Sequence, residues 1–61
     1  MTKPEIEIEH DGTHLFVVCD GKRIAIRGHE GTWIPLEPGY AAFGDEDLKT
    51  IIIEHNGVRI H

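Results

Sequence analysis

A chain of 61 residues has room for one domain, and its 11 acidic and 6 basic residues give a formal net charge of −5 at pH 7. This charge argues against nonspecific nucleic-acid binding, which needs Lys and Arg to neutralise phosphates, and against anchoring on an anionic membrane. One cysteine excludes an intramolecular disulfide, and with no apolar signal-peptide core a lone thiol fits a reducing cytoplasm. We therefore expect a single cytoplasmic β domain over residues 1–61, flexible at 1–4.

Three Asx-Gly pairs, Asp11-Gly12, Asp20-Gly21 and Asn56-Gly57, stand between apolar-rich runs. Such pairs are the strongest short-range signal for two-residue hairpin turns. Counting outward from the first two turns predicts a three-stranded meander from Glu5 to Arg27. Its predicted apolar rows are Ile6–Val17–Ile24 and Ile8–Leu15–Ile26. The two registers, set independently, place both rows on one face, which favours the formation of both hairpins.

The opposite face of this meander is predicted to be charged. Its predicted rows are Glu9–His14–Arg27, Glu7–Phe16–Ala25 and Glu5–Val18–Arg23. Phe16 and Val18 do not fit a solvated face. Either a second layer covers them or they form an exposed apolar stripe, and exposure is the expectation that we carry forward.

The middle of the chain predicts short, irregular strands. Two glycines in residues 28–31 favour a loop that leaves the sheet. A short strand is predicted at Thr32–Glu37, and Pro35, which lacks an N–H, makes it an edge or a bulged strand. Pro38-Gly39 predicts a type II turn with a positive φ at the glycine. Tyr40–Phe43 is predicted to be a second short strand or an irregular return.

The last hairpin is predicted to join a strand at Thr50–Glu54 to one at Val58–His61, with His55 opposite Val58. The run of three isoleucines at 51–53 indicates a strand with apolar surroundings on both sides. The chain is therefore predicted to be all-β, with six or seven short antiparallel strands. Either an open barrel or two packed sheets satisfies this pattern.

Few residues indicate chemistry. Five histidines (His10, His14, His29, His55 and His61) match no metal-ligand spacing and read mainly as surface residues. Cys19 is in phase with the predicted core and reads as a small apolar residue rather than a nucleophile. The acidic run at 45–47 lacks the spacing of a calcium loop. We expect no catalytic residues, no bound metal and no cofactor.

Three of the four aromatic residues, Trp33, Tyr40 and Phe43, lie in the irregular middle. They either line a groove for a peptide or small ligand or plug the open end of the core. The plug is the favoured interpretation for Trp33, and Tyr40 is expected to be more exposed. With Phe16 and Val18, these residues form the predicted binding surface.

The segments Gly21–Ala25 and Gly31–Gly39, with the ending Gly57–His61, resemble a group of short bacterial proteins of unassigned function. The resemblance covers most of the chain. It implies no activity, cofactor or catalytic residue, and it indicates that Thr32–Gly39 is a defining element of the fold.

The function predicted from the sequence is that of a small binding or assembly module that acts through a sheet face or an edge strand, without catalysis. The alternative is an accessory protein that responds to a metal or ligand through its surface histidines. The partner is expected to be a protein of unknown identity. A homodimer is also predicted, formed by covering Phe16 and Val18.

Overall fold

The computed structural model describes residues 3–61, which form seven β-strands and no helix. The strands are β1 (Ile6–His10), β2 (Leu15–Cys19), β3 (Lys22–Arg27), β4 (Trp33–Pro35), β5 (Tyr40–Phe43), β6 (Ile52–His55) and β7 (Val58–Arg59). They build two antiparallel sheets, in the orders β1-β2-β3-β4 and β5-β6-β7. The all-β prediction is confirmed, in its two-sheet form. For residues 1 and 2, the predicted flexibility lies outside the described residues.

The second and third Asx-Gly pairs form the turns that the sequence predicts. Asp20 and Gly21 have φ values of 50° and 82°, and Asn56 and Gly57 have 53° and 81°. Two successive positive φ values are the mark of a type I′ turn, whose twist matches that of the flanking strands. Both hairpins therefore begin in the predicted register next to their turns.

The first hairpin differs from its predicted register by two residues. Ile8 pairs with Val17 rather than with Leu15, because the loop contains four residues instead of two. At Asp11, the carboxylate Oδ1 accepts hydrogen bonds from the backbone N–H groups of Thr13 and His14, at 2.9 and 2.7 Å. These hydrogen bonds to the aspartate stabilise a four-residue loop, which stands in place of the predicted type I′ turn. A shift of two residues leaves each side chain on its predicted face.

The second hairpin carries a β-bulge that the sequence did not predict. Val18 pairs with Arg23 as expected, but the next pair joins Val17 to Ala25 and leaves Ile24 as the extra residue. Ile24 and Ala25 are both about 1% exposed, so the bulge turns two consecutive side chains into the core. The predicted pairing of Val17 with Ile24 is wrong for this reason.

The bulge also changes the outer face, by which we mean the face of the four-stranded sheet that carries Phe16. One row of partners crosses all four strands, and it runs Glu9–Phe16–Ile26–Ile34. The predicted row Glu9–His14–Arg27 is wrong, and Arg27 lies on the opposite, inner face beside Trp33. The outer face is therefore more apolar than the sequence indicated. The neighbouring row joins Glu7, Val18 and Arg23.

The middle of the chain links the two sheets. Strand β4 is an edge strand of the four-stranded sheet, as Pro35 predicts. Gly39 has a φ of 85°, as expected for the turn that leads into β5. The final strands are displaced from their predicted bounds: β6 begins at Ile52, and β7 ends at Arg59.

The core lies between the two sheets. Its buried members are Val17, Cys19, Ile24, Ala25, Trp33, Ala42, Ile51 and Ile53. Ile52, on the other side of β6, is half-buried, so the two-sided burial predicted for the isoleucine run is partial. Both sheets contribute, which explains how short strands form a stable layer pair.

Candidate functional site

Phe16 and Val18 do not form the exposed stripe that the sequence led us to expect. They are only 7% and 5% exposed. The guanidinium of Arg23 lies over the Phe16 ring, 4.1 Å from its centroid. The Arg23 Nε–H donates to Oε1 of Glu9 at 2.6 Å, which holds the guanidinium in place. The Phe16 ring is therefore covered from within the chain by a charged pair.

Two of the three aromatic residues of the middle, Trp33 and Phe43, line a small cleft of about 160 Å³, and Tyr40 lies outside its lining. Trp33 is 8% exposed and belongs to the core, where its indole N–H donates to the carbonyl oxygen of Gly44 at 3.1 Å. This position matches the predicted plug. Tyr40 is half-buried and stacks on the His55 ring with centroids 4.1 Å apart, whereas Phe43 is 50% exposed. The five predicted binding residues are thus divided among the outer face (Phe16 and Val18), the small cleft (Trp33 and Phe43) and the stack on His55 (Tyr40).

Cys19 lies in the core and is 6% exposed. Burial raises the pKa of its thiol, and the carboxylate of Asp20 raises that pKa further. Because the thiolate is the reactive form, this environment suppresses nucleophilic chemistry. The position agrees with the apolar role predicted for this residue.

The edge of β1 is the clearest opening in the backbone hydrogen bonding. Strand β1 pairs only with β2, and within residues 3–61 no strand lies on its other side. The N–H of Asp20 donates to the carbonyl of Glu5 at 2.9 Å, and the N–H of Asp11 donates to the carbonyl of His14 at 3.2 Å. These contacts place the odd-numbered residues of this segment toward β2.

Backbone direction alternates along an antiparallel strand. The even-numbered residues Ile6, Ile8 and His10 therefore direct their N–H and C=O groups away from β2, at the open edge. The β1–β2 register runs without a bulge from Ile6 to His10. A regular strand with a free row of donors and acceptors is a template for another strand.

The side chains of β1 differ between the two faces. Ile6 and Ile8 are half-buried and pack against the core cluster. Glu5, Glu7 and Glu9 are exposed on the outer face. A strand added at this edge would therefore meet apolar side chains on one face and carboxylates on the other.

A second feature is an open cleft of about 470 Å³ at the end of the four-stranded sheet where the β1–β2 and β3–β4 loops lie. Its lining includes His10, His14, His29, Leu15, Ile26 and Ile34. Three of the five histidines thus meet at one cleft with apolar walls. The other two are on the second sheet: His55 stacks on Tyr40, and a ring nitrogen of His61 lies 2.7 Å from the carbonyl oxygen of Leu48.

Sequence reasoning missed both features. The cleft depends on Ile26 and Ile34, which reach the outer face only because of the bulge at Ile24. The outward amides of β1 depend on the four-residue loop after His10, because the two-residue turn predicted from the sequence would have pointed the amides of Glu7 and Glu9 outward instead.

In the described part of the chain, no three His, Cys, Asp or Glu side chains are grouped so that they could hold a metal ion. No helix formed by residues 3–61 is long and apolar enough to cross a membrane. Comparison with protein-family models, curated proteins and solved structures finds no match to this chain.

Proposed function

We propose that this protein is a non-catalytic binding module that takes up an extended segment of a protein partner at the open edge of β1. The observation that carries the proposal is the unpaired row of backbone groups at Ile6, Ile8 and His10 on a regular edge strand. Strand addition of this kind supplies affinity through main-chain hydrogen bonds and specificity through alternate side chains. The buried, unreactive Cys19 also favours binding over catalysis.

The edge is joined to a well-packed scaffold. Strand β2, its neighbour, contains four consecutive residues that are each 7% exposed or less. A binding strand fixed to a packed layer loses little conformational freedom when a partner docks, so less of the binding energy is spent on ordering.

The proposal is tested by selecting binders from a random peptide library against the full chain. The comparison chain, made by chemical synthesis, carries an N-methyl group on the Ile8 amide, which removes one outward donor and keeps the side chain. A second chain, methylated on the exposed loop residue Glu30, controls for the modification. We expect enriched peptides that bind the parent and the Glu30 control and lose affinity for the Ile8-methylated chain. Enriched peptides that ignore methylation of Ile8, or no enrichment, would overturn the proposal.

A second candidate function is suggested by the histidine cleft. Three imidazoles around apolar walls suit a small organic anion with an apolar body, held by imidazole N–H groups. This is the ligand-responsive alternative that the sequence raised. Titration with benzoate and with cyclohexanecarboxylate, followed by the ring signals of His10, His14 and His29 in NMR, tests it. Saturable shifts confined to these three rings would support a ligand site, and unchanged rings would exclude these two ligand types.

A further inference from the structure

We infer that the β1 edge selects a segment in which basic and apolar side chains alternate. This inference rests on the proposed function and adds the chemistry of the partner. The outer-face positions of an added strand lie beside Glu5, Glu7 and Glu9, all of them exposed. Opposite charges on adjacent strands attract, and like charges directly opposite one another repel. Lysine or arginine is therefore favoured at every second position of the partner.

The intervening positions of the partner face the core side. Ile6 and Ile8 pack against the core cluster and remain half-buried, so the apolar layer is incompletely covered at this edge. Apolar side chains from an added strand would extend that layer and remove apolar surface from water. Basic and apolar side chains therefore alternate in the partner because acidic and apolar side chains alternate in β1.

A second copy of the chain fits this edge poorly. In an antiparallel β1–β1 pairing, the two-fold axis places residues of the same parity opposite one another, so each carboxylate faces a carboxylate. Centring the axis on Ile8 sets Glu7 against Glu9, and centring it on Glu7 sets Glu5 against Glu9. Glu9 is already paired with Arg23, which leaves Glu5 and Glu7 as the main selecting charges. The acidic row thus disfavours self-pairing and favours a basic partner.

The test uses short synthetic peptides in which valine alternates with lysine, glutamine or glutamate, titrated into the full chain. We expect the lysine peptide to bind most tightly, to slow amide exchange at Ile6, Ile8 and His10, and to weaken as salt screens the carboxylates. A lysine peptide N-methylated at every valine keeps its charge and loses the donors of the edge that pairs with β1 in an antiparallel ladder, and it should not protect these amides.

Charge reversal gives the matched variants. Glu7→Lys should weaken the lysine peptide roughly tenfold and strengthen the glutamate peptide, whereas Glu54→Lys on the second sheet should change neither. Equal binding of all three peptides at the β1 amides would overturn the charge preference and leave the proposed function standing. Protection of the β1 amides by self-association alone, or lysine-peptide binding elsewhere on the chain, would overturn this inference.

Discussion

The two faces of the four-stranded sheet are closed in different ways. The inner face is covered by the second sheet and by the residue that precedes β6: Ile53 and Ile51 are at most 2% exposed. The outer face has no layer over it within residues 3–61, and Phe16 is buried beneath the Arg23–Glu9 pair. One face is therefore closed by apolar packing and the other by a polar cover. The first closure should resist salt, and the second should respond to it because salt screens the ion pair.

The burial of Phe16 and Val18 weakens the reason for expecting a homodimer. The dimer is predicted because the sequence indicates that Phe16 and Val18 expose apolar surface. The chain buries that surface without a partner. The dimer itself stays a prediction, but the force expected to drive it is reduced. The exposed part of the outer row is now Ile34, at 50%, near the edge strand β4.

The largest expected effect comes from Phe16→Ser. If the polar cover buries this ring as fully as its 7% exposure indicates, the substitution should lower the free energy of unfolding by about 3 kcal/mol. Urea unfolding measures the loss, and Val58→Ser, at a side chain that is 64% exposed, is the control and should cost far less. Sedimentation equilibrium of the parent and of Phe16→Ser shows whether a dimer forms and whether it depends on this ring. A dimeric parent that becomes monomeric on Phe16→Ser would mean that a second copy, rather than Arg23, covers the ring.

Two neighbouring valines of β2 report on the two faces separately, because Val17 faces the inner side and Val18 the outer. Val17→Ala removes two methyl groups from a completely buried position and should cost about 2 kcal/mol. Val18→Ala removes the same groups from a position between the exposed residues Glu7 and Arg23, whose flexible side chains can settle into the space, and it should cost about 1 kcal/mol. Thermal unfolding of the parent and of both variants measures the two losses in stability. Equal losses would show that the two faces are packed equally well.

The sequence predicts much of the difference between the two faces, and each feature that it does not predict has an identifiable physical cause. Alternation placed Val17 inside and Phe16 outside, and the Asp20-Gly21 and Asn56-Gly57 pairs fixed two turns, because side-chain period and type I′ chemistry are local. The four-residue loop at Asp11 and the bulge at Ile24 were missed, since both replace one local solution by another of similar energy. The cover over Phe16 was missed because a long arginine side chain reaches across strands in a way that periodicity does not describe.

The polar cover itself is tested by Arg23→Gln. Loss of the guanidinium over the Phe16 ring and of its bond to Glu9 should destabilise the domain by about 1 kcal/mol, because the pair lies at the surface. The cost should shrink as salt screens the parent's ion pair. Lys49→Gln is the control, at an exposed side chain that makes no ion pair in the described part of the chain, and it should show little salt dependence. A salt-independent loss in Arg23→Gln would indicate that the aliphatic stem, rather than the charge, covers the ring.

The smallest expected effect is on the acid dependence of stability, and it involves the loop that joins β1 to β2. Hydrogen bonds from the N–H groups of His14 and Thr13 lower the pKa of the Asp11 carboxyl below its ordinary value of 3.8. The folded chain therefore keeps this carboxylate charged at a pH where the unfolded chain has protonated it. Its contribution to the free energy of unfolding is present above pH 3.8 and is lost as the pH falls through the lower pKa of the folded state. Asp11→Asn retains an oxygen acceptor that does not titrate, and its unfolding free energy should fall less steeply than the parent's on acidification below pH 3.8. Urea unfolding at a series of acidic pH values, with Asp45→Asn as the control in an exposed loop, compares the slopes. Parallel curves for the parent and Asp11→Asn would mean that the loop hydrogen bonds do not depend on the charge.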